Sequence, residues 1–476
     1  MSTNVKWAAA VIPLLVACHP PKAAVQTREL LDRGNVDAAR KTIDRAVAEQ
    51  PRSAALRRLA LEVRLAQDDR PGAVKVYRGW LDQVGKDEEM LQHLALSTLR
   101  WGLRNRAPAV RLAAIQAARR TDADELEQDV ADRLEDPDET VRSWAAVAMS
   151  RTLAGADALE RQLRSPDPRA RAVAVGNLAR IAGAAAMRTL ARLSRDPSPE
   201  VRAALARGID RVGKEAAVGL LGRLAHDPER SVRRDAVAAL GRLGRPAGAK
   251  IVRAALKDPY IGVRVAAVLA LAELEGDRAI PMLRELAEED DLPTALRAGV
   301  RLARMGEDQP VLNAIAKGLV DGSWTVRAAA CNAAASLGGK HAVARKLVAD
   351  RALRDPEPRV RAAGARAVLA LGDESAAGRT AALLQALSCS ARGKEMEALC
   401  LQAAEVLLRS GNRSGLHELE RLTRGAREPA HRAEALRIAL TGGGLLETAA
   451  DALADPEPTV AVAAATDIYI RIDRSR

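Results

Sequence analysis

Phenylalanine is absent from this 476-residue chain, and all aromatics together make up 2 % of it. A globule built on large ring anchors is not expected, and the scarcity of rings argues against nucleic-acid binding through rows of stacked bases. Histidine occurs six times (His19, His93, His226, His341, His417 and His431), and no two of them stand at metal-ligand spacing. There is no nucleophile elbow, no phosphate-binding P-loop and no Gly-rich cradle following a strand pattern, so no catalytic constellation is legible. No run of five or more like charges forms a basic or acidic tail. Cysteine is limited to Cys18, Cys331, Cys389 and Cys400.

What the chain does contain is small and apolar. Hydrophobic residues reach 48 % of the composition, carried by Ala, Leu and Val, whose side chains let helices approach closely. The formal charge of +12 admits an anionic partner, but it also suits Arg and Glu spread over many solvated helix faces. At this length the chain exceeds one compact core.

A heptapeptide, Asp-Pro-x-x-x-Val-Arg, recurs at Asp136–Arg142, Asp196–Arg202, Asp227–Arg233, Asp258–Arg264 and Asp355–Arg361. The first gaps are 60, 31 and 31 residues, and a period near 30 denotes stacked helical hairpins. Aligned on the Asp position, about twelve units run from Asn105 to the C-terminus, with degenerate copies near Lys394 and Ala426. Within each unit Pro ends the first helix, having no N–H to donate. In Ser198-Pro199-Glu200 the serine is a fitting N-cap and the proline a fitting first helical residue. Val232, Ala236, Leu240 and Leu243 follow at helical spacing, and Gly244 and Gly372 stand where helices stop.

This pattern resembles the HEAT repeat, in the short variant also found in phycobilin lyases, over residues 104–476. The resemblance implies an all-α solenoid, a right-handed superhelix whose second helices line the concave side. It also implies that the recurrent Asp and Arg contact one another along the stack. The arginine ladder would comprise Arg111, Arg142, Arg171, Arg202, Arg233, Arg264, Arg297, Arg327, Arg361 and Arg432, failing at Cys400 and at Ala461. A position repeated in almost every unit is architectural rather than site-specific. The divergent last unit is expected to be a cap facing water, its apolar end closed by Ile468, Tyr469, Ile470 and Ile472.

Ahead of this array lies a different period. Ala39, Ile43 and Ala46 are echoed 34 residues later by Ala73, Tyr77 and Trp80, with Gly34 and Asp68 at the turns. Residues 18–103 thus resemble about two tetratricopeptide repeats, with Leu94, Leu96, Leu99 and Trp101 in a capping helix. Residues 1–17 carry one Lys and an apolar stretch of about eleven residues, too short to span a bilayer. The stretch ends Leu15-Val16-Ala17-Cys18, which resembles the lipobox of bacterial lipoproteins. That resemblance implies a lipid anchor on Cys18, and His19 after it leans towards the periplasmic side of the outer membrane.

The expected function is a non-enzymatic scaffold for a protein or peptide partner, lipid-anchored in the cell envelope, with no cofactor and no bound metal. Trp144, Tyr260 and Trp324 are candidate contacts to that partner. Cys389 and Cys400 flank the loop of the most insertion-rich unit. Export would favour a disulfide between them, and two reduced core thiols are the other reading. Two rivals stay open: a cytoplasmic lyase or chaperone of the phycobilin-lyase type, and a basic HEAT-like nucleic-acid binder, against which scarce aromatics argue.

Overall fold

The computed structural model describes residues 21–85, 87–181, 187–209, 215–339, 341–389, 393–441 and 446–473. Among these the fold is all-α: helices alternate with tight turns and no strand occurs. Twelve helices follow the twelve turn markers, from Pro108–Thr121 to Pro458–Asp473.

One repeat shows how the sequence makes a hairpin. The Asp227 carboxylate accepts the Glu229 N–H at 2.9 Å, closing an Asx turn that reverses the chain. The second helix then runs Arg230–Leu243, with Val232, Ala236 and Leu240 buried along one stripe. Gly244 ends it at φ 66°, a conformation that a β-carbon would strain. The neighbouring turn departs from the expected cap. Ser198 is the N-cap residue by position, yet its hydroxyl makes no capping bond. Asp196 takes the Ser198 N–H instead, at 2.9 Å, so the Asp at the turn does the work assigned to the serine.

By packing the chain forms two compact units, one of residues 123–444 and one combining residues 1–122 with 445–476. In the central unit consecutive second helices, such as Arg230–Leu243 and Ile261–Glu275, lie closely side by side. Consecutive first helices touch far less, so the second-helix layer is the tighter of the two.

The terminal unit holds two N-terminal hairpins, Lys22–Asp32 with Val36–Glu49 and Ala54–Ala66 with Arg70–Val84. Their recurrent positions Ala39, Ile43, Ala46, Ala73, Tyr77 and Trp80 are all buried. Helix Glu88–Leu103 packs on this pair, and helix Pro108–Thr121 packs on it in turn. The last helix, Pro458–Asp473, lies against both Glu88–Leu103 and Pro108–Thr121. This corrects the expectation of a water-facing cap: Ile468 and Ile472 are 0 % exposed and Tyr469 is 6 % exposed. Gly102 makes the approach feasible, since a β-carbon there would sit 2.9 Å from Val462 Cγ2 and 3.0 Å from Ala114 Cβ.

The failed ladder position in that last repeat is also explained. At most other turns the ladder Arg donates to the carbonyls of the turn's first two residues, as Arg202 does to Asp196 and Pro197. Here Ala461 is buried, and Arg70 of the second N-terminal hairpin donates instead to the Asp455 and Pro456 carbonyl oxygens. Its guanidinium lies over the Trp101 ring, 4.6 Å from the centroid.

Candidate functional site

The repeated arginines make two sets of bonds. Nη1 of each reaches back to its own turn: Arg202 donates to the Asp196 and Pro197 carbonyls at 2.8 and 3.1 Å. Arg111, Arg142, Arg171, Arg233, Arg264, Arg327, Arg361 and Arg432 repeat this arrangement. Nε and Nη2 reach forward to the next repeat as a two-pronged fork. Arg171 holds Asp196, Arg202 holds Asp227, Arg233 holds Asp258 and Arg327 holds Asp355, with Nε–O distances of 2.7 to 2.9 Å. Arg142 and Arg361 have no carboxylate to reach, because the next turns offer Ser165 and Lys394 at that position.

Arg264 and Arg297 depart from the expected ladder. Among the described residues Arg264 binds its own turn only. The next carboxylate, Asp291, is itself the N-cap of helix Leu292–Ala303 and accepts the Thr294 N–H at 3.2 Å. That helix begins directly after Asp291, whereas helix Pro199–Gly208 begins three residues after Asp196. The fourth helical position, where Arg202 stands in its own helix, is here filled by buried Ala295. Arg297 keeps the six-residue spacing but lies two positions, about 200°, further round its helix. It is exposed and is no part of the ladder.

These forks set a pH dependence. Burial pushes the Asp227 carboxyl up, but the Arg202 hydrogen bonds, the Glu229 N–H and the charges of Arg202 and Arg233 outweigh it and hold it below 3.8. Asp196 and Asp355 follow the same balance, while for Asp258 the Arg233 hydrogen bond leads. A carboxyl depressed on folding contributes stability above its unfolded value and loses it as pH falls through the folded one. Stability of the central unit is therefore expected to hold from neutral pH to about pH 5 and to fall steeply below about pH 4. The arginines shift the other way, upward through their hydrogen bonds to Asp227 and Asp258, beyond the accessible pH range. Urea unfolding at stepped pH checks this, and an unchanged midpoint at pH 3 would contradict it.

The aromatic candidates are engaged within the stack. Tyr260 lies under the Arg230 guanidinium at 4.8 Å, and Trp324 under Arg359 at 4.7 Å. Each pairs an aromatic at a helix start with an Arg from the neighbouring repeat. Trp324 stays 38 % exposed, and Trp144 is half-buried.

Cys389 and Cys400 are joined by a disulfide, S–S 2.01 Å, tying the end of helix Glu374–Ser388 to helix Lys394–Arg409. The buried Glu418 carboxylate lies 3.3 Å from Cys400 Sγ and pairs with Arg421 Nε at 2.6 Å. Bonded sulfurs of this kind offer no thiolate to a metal. Cys331 is a buried free thiol pushed up to about 12, first by burial and then by the nearby Asp355 charge. Cys18 lies outside the described residues, and no described helix is long and apolar enough to cross a membrane.

Among the described residues an open cleft lies in each unit. In the terminal unit a cleft of about 930 Å³ lies between the hairpins and helix Glu88–Leu103, bordered by Arg28, Glu62, Ser97, Arg100, Trp101 and Arg104. Ser97 is 5 % exposed, and its hydroxyl has no hydrogen-bond partner among the described residues. In the central unit a cleft of about 490 Å³ lies on the second-helix layer, beside Arg297, Arg301 and Arg304. Sequence reasoning passed over Arg70, Arg301 and Arg304. The seven-residue spacing of the charged row, read against a helix starting at Leu292, was the available signal.

The stacked hairpins of the central unit are HEAT-like. The family model for HEAT repeats matches residues 156–234 and 218–303. Among solved structures, human deoxyhypusine hydroxylase in complex with glycerol is similar over 52 % of this chain and 94 % of its own. The identity is 24 % and the TM-score 0.26. A Kap121p mutant is similar over 90 % of this chain at 11 % identity and TM-score 0.37, and this chain spans 56 % of it. No curated protein sequence matches the chain at a significant level.

Proposed function

We propose that this protein is a non-enzymatic interaction scaffold, held at the periplasmic side of a bacterial outer membrane by lipid on Cys18. One observation carries the scaffold reading. Four Asp–Arg pairs of the central unit are spent on one another, while the second-helix layer leaves an open groove of aliphatic side chains edged by arginines, of which Arg297 and Arg304 meet no side-chain partner among the described residues. A stack of this kind binds by many modest contacts over an extended face. The two N-terminal hairpins, with the tetratricopeptide-like period, offer a second docking surface in the cleft beside Ser97. The anchor reading rests on Leu15-Val16-Ala17-Cys18 at the end of a short apolar stretch.

Chemical crosslinking of the full-length chain in its native membrane is expected to recover one recurrent protein partner bound to these units. Crosslinks confined to the chain itself would remove the scaffold reading. Cys18→Ser is expected to shift the protein from membrane to soluble fraction by at least about tenfold, since stable anchoring needs the acyl chains. Mass spectrometry of the N-terminal peptide checks the same point, and an unmodified Met1 start would end the anchor reading.

A further inference from the structure

The cleft on the second-helix layer is bordered by helices Ile261–Glu275, Leu292–Ala303 and Trp324–Leu337. Its floor is aliphatic: Leu269, Leu296, Val300, Ala329 and Ala333. Along one side stand Arg297, Arg301 and Arg304, spaced four and three residues apart and so on one face, over about 10 Å of rise.

The fold has no visible use for this row. Like charges one turn apart repel, so the row is a cost to the free helix. Glu273 neutralises Arg301, at 2.8 Å, and is the one carboxylate lining the cleft. Arg301 Nε is shielded from solvent and still has no acceptor. Arg297 and Arg304 are exposed and, among the described residues, have no side-chain partner. The cleft thus carries two positive charges in excess, and it does so in the one repeat where the early helix start turns an arginine out of the ladder.

We propose that this cleft docks an acidic segment of a partner protein. Carboxylates of the segment pair with Arg297, Arg301 and Arg304, and its aliphatic side chains rest on Leu269, Leu296 and Val300. The proposal deepens the scaffold reading and rests on it. A nucleic acid would satisfy the arginines but leave the aliphatic floor unused, and no aromatic ring lines the cleft to stack a base. Forked contacts between guanidinium and carboxylate over an apolar floor match a peptide bearing both charge and leucine.

The test uses the full-length protein and a fluorescein-labelled amphipathic peptide of Glu and Leu, followed by fluorescence polarisation. Binding is expected, and replacing the peptide's Glu by Lys, or its Leu by Ser, is expected to abolish it. The double variant Arg297→Glu with Arg304→Glu is expected to weaken binding roughly a hundredfold, two charge-assisted contacts at about tenfold each. Both side chains are exposed, so the fold is retained, as circular dichroism would verify. The control Arg351→Glu with Arg354→Glu changes net charge equally at exposed sites away from the cleft and is expected to act within about twofold. The proposal is overturned by no binding, by equal loss in both double variants, by binding that survives Leu-to-Ser replacement, or by a single-stranded oligonucleotide that displaces the peptide. Crosslinked partners that persist with the Arg297/Arg304 variant would remove this groove and leave the scaffold reading standing. A wild-type chain that captures no partner removes that reading instead, whatever the peptide does.

Discussion

A chain ending at residue 444 is expected to lose the folded N-terminal hairpins. The last helix, Pro458–Asp473, supplies Val460, Val462, Ile468, Tyr469 and Ile472 to a shared core, each 6 % exposed or less. Five such side chains at roughly 1.5–3 kcal/mol each amount to about 10 kcal/mol, comparable with the whole stability of a typical domain. Removal also takes away the Asp455 and Pro456 carbonyls that hold Arg70, and Asp467, which Arg120 meets at 3.3 Å. The apolar faces of helices Glu88–Leu103 and Pro108–Thr121 would be left in water. The expected readout is loss of one cooperative melting transition and rapid proteolysis before residue 122, with the central unit still helical. A truncated chain whose Trp80 and Trp101 fluorescence melts as in the full chain would show that the last helix is dispensable.

The second large effect belongs to the ladder. Asp227→Ala should destabilise the central unit by about 3 kcal/mol, the low end of the cost of orphaning a buried charge. The Asp227 side chain is 7 % exposed and accepts three hydrogen bonds, two from the Arg202 fork and one from the Glu229 N–H. Its loss leaves a guanidinium 13 % exposed without its acceptor and opens the turn that starts the next helix. Combining it with Arg202→Ala should cost at least about 1 kcal/mol less than the sum of the singles, because the two changes remove one shared interaction. Urea titration of the four proteins measures this. Strict additivity, or a loss under about 0.5 kcal/mol for Asp227→Ala, would reduce the ladder to a surface decoration.

Much of this was legible because repeat proteins are locally written. Hairpin positions followed from Pro, Asp and Gly at a fixed period, and twelve second helices begin at the expected markers. The fork between Arg202 and Asp227 joins residues 25 apart, within one period, so an alignment of repeats suffices to suggest it. The break at Arg297 was less legible. The spacing from Asp291 is unchanged, and only the helix start, set by Asp291 acting as N-cap with Pro293 behind it, reveals that the arginine points elsewhere.

By itself the sequence determined the all-α class, the hairpin period and the identity of the groups that stitch neighbouring repeats. These depend on backbone preferences and on contacts one repeat apart. Only the tertiary structure decided where the last helix lies and what replaces its missing arginine. Arg70 and Asp455 are 385 residues apart, and no local rule links them. Ala461, Gly102 and Val462 read as a worn-out repeat until close packing shows them as an apolar joint, because complementarity between distant surfaces leaves no periodic trace in the chain.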